Sequence, residues 1–470
     1  MKNGNVSPTS VQDVKLPWPV KIGYSVGNFA KALLAVSVSV YLLYFYTDIC
    51  GIDSKIASTI ILIAKIWDII NDPMMGAIVD KTVSKEGRCR FYLKYFSVPA
   101  GIIFALSFFM PDFAMPGKIA WAAITYILQG MASTILLIPL NTLMGRLTSN
   151  QQQRVHMNQF GTGFSLLGSM FVTGYTMKLV LSISPDNMQK GLFAVACIYG
   201  VLYAVCHLIV FFVTRGYEPV EKPVAVADVS EIKEISSQKV SFGKRIAALF
   251  QNKMWLAVVA MWFVSNISMS LENSALPFYL QYNHGENMAQ LYSLYSTLGL
   301  IIPVICILCI NHVTRRLGVA RTALIGAVLT TCAYAFRFIA GDASVLVIGI
   351  GWGIYQLGGG LLTCTVMLLV FEAKEYGAKE TGVDNDAILM SGFSASYKIG
   401  MAIGGAVLGY IIPAAYVPQA AEQAPEVLKF FFHCCTLLPM ICAVICVAAC
   451  TAVNVLGHRA KIEQSEGVDG

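Results

Sequence analysis

Charge is what this chain has least of. Of 470 residues only 13% are Asp, Glu, Lys or Arg, about half the share a soluble globular domain carries, while 56% are hydrophobic and the mean hydropathy is +0.64. That balance excludes a soluble fold. Histidine is scarce as well: His156, His207, His284, His312, His433 and His458 are scattered, with no HExxH among them. No Gly-rich P-loop ending in Lys-Ser/Thr occurs, so ATP-driven chemistry is excluded for this chain alone. The N-terminal stretch is polar and carries no small-residue cleavage pattern, so it reads as a cytoplasmic tail and not as a signal peptide.

What the chain does have is long apolar runs, at about 22–47, 54–79, 92–111, 117–145, 156–182, 191–214, 253–282, 289–311, 320–340, 344–371, 387–413 and 428–456. Each is long enough to cross a bilayer as a helix. They predict an all-α integral membrane protein with twelve transmembrane helices: a tail (1–21), a six-helix bundle (22–214), a cytoplasmic linker (215–252), a second six-helix bundle (253–456) and a tail (457–470). Lys and Arg concentrate in the segments that face the cytoplasm if both termini lie there, so the +6 net charge reads as a topology signal and not as a nucleic-acid footprint. The linker's end, Ser241 to Phe250, has the pattern of a short amphipathic surface helix. Six spans, a long loop and six spans is the layout of two bundles that rock about a midplane site. The loop Asp80-Lys81 to Arg88 and Arg90 finds a weak echo in Arg315-Arg316-Leu317-Gly318 of the second half, as duplication would leave. The thirteen cysteines lie mostly within spans and read as small packing residues, without a disulfide framework or a transition-metal site.

One segment breaks the apolar rule. Trp67-Asp68-Ile69-Ile70-Asn71-Asp72-Pro73 sets two acids and an amide inside the second span. An acid at the centre of such a helix costs roughly 2.5–3.5 kcal/mol on insertion scales, so both must face a bundle interior, a cavity or a cation. At about 100° per residue, Asp68, Asn71 and Asp72 share one face. Three oxygen-bearing side chains there suit a small hard cation; a salt-bridged network with Lys65 or Lys398 is the alternative reading.

These residues look familiar. Tyr24 to Gly27, Tyr41 to Asp48, Trp67-Asp68 with Asn71-Asp72-Pro73, Glu375-Tyr376-Gly377, and Lys398 followed by Gly400 and Gly404-Gly405 resemble the glycoside–pentoside–hexuronide:cation symporters of the major facilitator superfamily, of which melibiose permease is a member. The resemblance implies the major facilitator fold, and uptake of a glycoside or hexuronide driven by a Na⁺ or H⁺ gradient through alternating access. It implies that Asp68, Asp72, Asn71 and Thr134 bind the cation, with Lys398 as the counter-ion of the carboxylates. It matches Glu375, Tyr376 and Gly377 to the family's segment after the tenth helix; with Asp80, a capping or pairing acid, and the topology-fixing Arg88 and Arg90, they form the candidate cytoplasmic gate or loop motif. The implied partners are a small solute, a monovalent cation and the lipid bilayer, with no cofactor, no enzymatic activity and no nucleic acid. A monomer in the plasma membrane, both termini cytoplasmic, is the expected working unit.

The sequence departs from the family at its sugar site. Ala32 and Leu137 stand where galactoside-binding aspartates are expected, Gly161 at the fifth-helix arginine, Asn141 at an aromatic position, and Asp384 and Asp386 at the usual Arg and Glu. The candidate solute cavity therefore rests on Lys31, Gln129, Asn141, Glu272, Tyr355, Gln356 and Thr363, with Trp67 and Trp352 as possible aromatic platforms. Two lysines kept and two acids lost favour an anionic group on the solute. Glu272 reads equally as an acid at the outer headgroup level. A carrier for a non-sugar solute or anion, or a non-transporting sensor, stays open as the alternative function.

Overall fold

The computed structural model describes residues 16–148, 151–218, 249–341, 344–381, 386–418, 420 and 422–466. Most of the predicted linker and amphipathic helix (219–248), the ends of both tails, and Asp384 lie outside the described residues, as does the side chain of Asp80.

Each predicted span is helical. The first half consists of α1 (Trp18–Tyr44), α2 (Ser54–Lys81), α3 (Arg90–Tyr95), α4 (Ser97–Ser107), α5 (Met115–Leu147), α6 (Gln151–Ile183) and α7 (Met188–Val213). The second consists of α8 (Lys253–Asn283), α9 (Met288–Leu317), α10 (Val319–Ala340), α11 (Val345–Thr381), α12 (Asp386–Ile411), α13 (Pro425–Cys434) and α14 (Leu437–Glu466). Two spans expected as continuous helices, 92–111 and 428–456, are broken: α3 gives way to α4 at Phe96, and α13 to α14 at Cys435-Thr436. Pro99 and Pro439 mark the breaks. Each stands at the third position of the new helix, where its missing N–H would have no helical partner anyway, whereas Pro73, Pro139, Pro277 and Pro303 lie inside helices that continue through them.

Among the described residues nine helical segments are long and apolar enough to cross a membrane. Of the remaining expected spans, α3 and α4 are short, α2 carries Lys65, Asp68 and Asp72, and α12 is diluted by Ser, Gly and Lys398. Side chains such as Leu308 (76% exposed) and Ile339 (83%) point outward, the inversion of a water-soluble surface.

Within the first half α1 packs on α6 and α7, α2 on α5, and α4 on α7; within the second, α8 packs on α12 and α14, and α10 on α11. Across the halves α2 meets α12, α6 meets α9 and α1 meets α8. The second helix thus pairs with the eleventh span and the fifth with the eighth, the symmetric crossing that a duplicated unit produces.

The halves are fastened at the end where α1 finishes, called distal here. A π-helical turn, Phe45–Ile49, carries Asp48 into the interface, 2% exposed, where its carboxylate accepts hydrogen bonds from the hydroxyls of Tyr282 and Tyr416. Thr59 and Tyr410 share a hydrogen bond of 2.7 Å between α2 and α12, and the Tyr44 and Phe278 rings meet edge-to-face at 5.4 Å. A Cβ on Gly409 would overlap Ser58, so glycine permits this close crossing.

Hydrogen bonds to an ionised acceptor are about twice as strong as neutral ones. Asp48→Asn is therefore expected to loosen the distal seal. In a cysteine-depleted background, a cysteine placed at Ser39 should react with a water-soluble maleimide about tenfold faster, the equivalent of about 1.4 kcal/mol. An unchanged labelling rate would show that the seal does not rest on Asp48.

Candidate functional site

The site is built on α2. Asp53 caps that helix, its Oδ1 accepting the backbone N–H groups of Lys55 (3.0 Å) and Ile56 (3.3 Å). Ile63, Ile66, Trp67, Ile70, Met74 and Ile78 form its exposed stripe, while Asn71 is buried and Asp68 and Asp72 are half-buried on the other side. Trp67 therefore belongs to the outer surface and offers no platform to a solute. Pro73 follows directly, and its missing N–H leaves the Ile69 carbonyl without a helical donor beside the acids.

Two other helices close around this face. On α5, a Cβ at Gly130 would come within 2.5 Å of Asp68 Oδ1, so the glycine makes room for the carboxylate. One turn on, Thr134 Oγ1 donates to Asp72 Oδ1 at 3.0 Å. From the other half, Lys398 of α12 forms an ion pair with Asp72 Oδ2. Lys65 pairs with Asp68 Oδ2 at 3.5 Å, its ammonium 6.0 Å from the Tyr126 ring centre. Both lysines weighed as partners of the acids are thus engaged, one with each. Asp68 Oδ1 and Asn71 Nδ2 are buried and make no hydrogen bond. Buried polar atoms nearly always have partners, so this carboxylate oxygen stands out as an unused acceptor. Two carboxylates, a hydroxyl and an amide form a hard-oxygen donor set. Asp68, Asn71, Asp72, Thr134 and Lys398, expected together, are together.

The expected solute residues divide. Lys31 and Asn141 are exposed, and Gln129 is buried in the packing face of α5. Tyr355 and Thr363 line a cavity of about 80 Å³ inside the second half, with Trp262, Asn266, Ser268 and Thr330. That volume holds a few waters. Gln356 is half-buried and abuts Gly299 of α9. Trp352 is fully buried against Tyr295 and Arg337.

Glu272 corrects both of its expected placements. It is 1% exposed, its Oε1 accepts from Arg337 Nη1 at 3.0 Å, and its Oε2 accepts from Tyr334 Oη at 2.7 Å. It belongs neither at a headgroup rim nor on a free cavity wall in this structure. The signal that could have found its partner was Arg337 itself, a charge within the ninth span that demanded a counter-charge.

The loop motif is a knot within the first half. Arg90 is buried, donating to the Phe211 carbonyl (3.0 and 3.1 Å) and the Glu86 carbonyl (2.7 Å). Glu218, unnoticed in the sequence, accepts from the backbone N–H groups of Cys89 (2.8 Å) and Arg90 (3.1 Å) and from Arg146 Nε (3.1 Å). Arg88 is half-buried. In the second half Glu375 is exposed, Tyr376 packs on a core cluster, and Gly377 lies against Asn252, which donates to the Ala373 carbonyl at 2.7 Å. Gly23-Tyr24-Ser25-Val26-Gly27 has the spacing of a serine nucleophile turn, but it lies inside α1, where Ser25 Oγ donates to the Lys21 carbonyl at 2.8 Å.

Helices paired across two halves, with a charged cluster at the crossing, define a membrane transporter of the major facilitator fold. The solved structure of a bacterial homologue of human drug peptide transporters superposes with a TM-score of 0.65, covering 94% of this chain and 99% of that one at 14% identity, a likeness of fold. Residues 23–454 match the family described as MFS/sugar transport protein, and the chain belongs to it. Similar chains include an isoprimeverose transporter of Lactiplantibacillus pentosus (28% identical, 87% of this chain and 83% of that one). A putative glycoside/cation symporter of Escherichia coli is 26% identical (86% and 84%), and a glucuronide carrier protein homolog of the same species is 26% identical (90% of each).

Removing one partner of a buried ion pair strands the other, at a cost of about 3–5 kcal/mol. Glu272→Gln should therefore lower the melting temperature in detergent markedly while leaving solute preference unchanged. A selectivity change at unchanged melting temperature would return Glu272 to the solute wall.

Proposed function

We propose that this protein is a secondary symporter that couples uptake of a small sugar-like solute to the downhill movement of Na⁺ or H⁺. One observation carries the reading: two membrane-embedded carboxylates, Asp68 and Asp72, meet Thr134 and a lysine from the opposite half, with one carboxylate oxygen left unbonded. The membership in a sugar-transport family and the names of the similar symporters support it.

The coupling follows from charge. Without a bound cation the two carboxylates are balanced by Lys65 and Lys398, and the Lys398 pair ties α12 to α2. A cation entering among Asp68, Asp72, Asn71 and Thr134 competes with the Lys398 ammonium for Asp72. The freed ammonium then turns toward the space between the halves, where it favours an anionic or strongly polar solute. Cation and solute thus strengthen each other's binding, and linkage makes the help reciprocal. With both termini cytoplasmic, as the Lys and Arg distribution supports, the distal seal is extracellular and the described state faces inward. Residues 22–214 and 253–456 are the two rocking units, working as a monomer in the plasma membrane.

Lys31 is exposed and has no carboxylate partner among the described residues. Together with Leu137, where the resemblance led one to expect an acid, this favours a solute with an anionic group, in keeping with the glucuronide carrier among the similar chains. In proteoliposomes, methyl β-D-glucuronide should compete for uptake better than a neutral glycoside; the reverse preference would contradict the anionic reading.

Coupling is tested by thermal stability at constant ionic strength. Na⁺, or acidification if H⁺ is the ion, should raise the melting temperature of the wild type. Asp68→Asn should abolish the response, and Thr134→Ala should weaken cation affinity by roughly tenfold, the worth of one hydrogen bond. A full response in Asp68→Asn would contradict the assignment.

A further inference from the structure

The structure assigns a solute contact to a residue that neither the motifs nor the family resemblance single out, Asn28 of α1. This rests on the transport reading above and deepens it at the solute site.

Lys31 and Ala35 are the exposed positions on an otherwise packed length of α1, and Asn28 and Ser39 continue the same stripe, both half-buried. The stripe runs at spacings of three and four residues, one helix face. Its direction is fixed at its distal end, where the Ser39 carbonyl accepts from Ser274 Oγ of α8 at 3.5 Å. Asn28 and Lys31 therefore look toward the second half and not toward lipid. Asn141 joins them from α5. Tyr24 Oη donates to the Leu140 carbonyl at 3.1 Å, and Gly27 lies against the Leu140 side chain, which brings the following residues, Asn28 and Asn141, to one level.

The Asn28 amide has a seat made for it. A Cβ on Gly161 of α6 would lie 2.9 Å from Asn28 Nδ2 and 3.2 Å from its Cγ. Around it α1 and α6 run close: Ser165 Oγ donates to the Asn28 carbonyl at 3.3 Å, and Gly168 lies against the Phe29 carbonyl and Ala32. Gly161, where the family resemblance led one to expect an arginine, is thus the glycine that lets a neutral amide from α1 occupy the wall. Ala32 meanwhile is buried against α6, so an acid at that position would meet helix and not solute. The Asn28 side chain makes no hydrogen bond to the protein among the described residues, and neither do Lys31 or Asn141. Polar groups within a membrane protein ordinarily find partners. Lys31 and Asn141 are exposed and Asn28 is half-buried, so water satisfies these three groups until an entering solute takes its place.

An amide both donates and accepts, so Asn28 can bind a hydroxyl pair of a sugar ring while Lys31, one turn on, meets an anionic substituent. A site built to bond a hydroxyl rejects analogues that lack it. Asn28 would accordingly set which hydroxyl pattern is taken, separately from the cation site on α2.

The test is a double-mutant cycle on uptake by proteoliposomes, with isoprimeverose and methyl β-D-glucuronide as probes. Asn28→Ala is expected to raise KM for the transported probe about tenfold, with the melting temperature and its response to the coupling cation retained. Gly161→Ala should do the same, because its new methyl displaces only the end of a side chain. The double variant should be no worse than Asn28→Ala alone, since both act through one amide. Additive effects, or an unchanged KM in Asn28→Ala, would overturn the assignment while leaving the symport reading intact. Cation-responsive wild type that takes up neither probe would instead overturn the sugar-like solute on which the assignment rests. A lowered melting temperature with KM unchanged in both single variants would mark the contact as helix packing and would also overturn it.

Discussion

A charge inside a membrane needs a partner, and the pair formed by Asp72 and Lys398 satisfies that need across the boundary between the two halves. The acid sits on α2 and the ammonium on α12, helices that otherwise touch through small residues such as Ser58 and Gly409. Desolvation makes either charge expensive alone. Anything that changes the protonation or ligation of Asp72 therefore changes how firmly the halves are joined. A cation binding there, as proposed, would turn a local event into a movement of whole helices, which coupled transport requires.

The rest of the structure divides its charges by the same constraint. Glu272 with Arg337 and Tyr334 stays inside the second half, and Glu218 with Arg146 and the α3 backbone stays inside the first. These networks join elements of one half to each other. Asp48 with Tyr282 and Tyr416, like Asp72 with Lys398, instead crosses between halves. Pairs within a half persist when the halves rock, whereas pairs between halves must break and reform. The crossing pairs are accordingly the ones available to gate the cycle.

Much of this was legible in the sequence, for physical reasons. An acid in an apolar run is conspicuous, and helical spacing alone placed Asp68, Asn71 and Asp72 on one face; the resemblance then supplied Thr134 and Lys398. What escaped notice was set by tertiary contact. Glu272 and Arg337 lie 65 residues apart, so no local pattern joins them. Glu218 stands at the mouth of a polar linker, where an acid is unremarkable. Trp67 looked like a platform because its neighbours are site residues, but a one-residue step along a helix turns a side chain about 100° away. Asn28 was hidden because its meaning depends on the missing side chain of Gly161 on another helix. The broken spans were signalled by Pro99 and Pro439, yet hydropathy averages over such breaks.

The central claim is that the Lys398 ammonium and the coupling cation compete for Asp72. The most direct measurement is the apparent affinity for that cation in Lys398→Met, titrated against the wild type in purified protein. Competition predicts that the cation binds more tightly in the variant, because both carboxylates lose an opposing charge, while cation-driven uptake of solute is lost. Weakened or absent cation binding would mean that Lys398 holds the carboxylates in place for the cation, and would contradict the account.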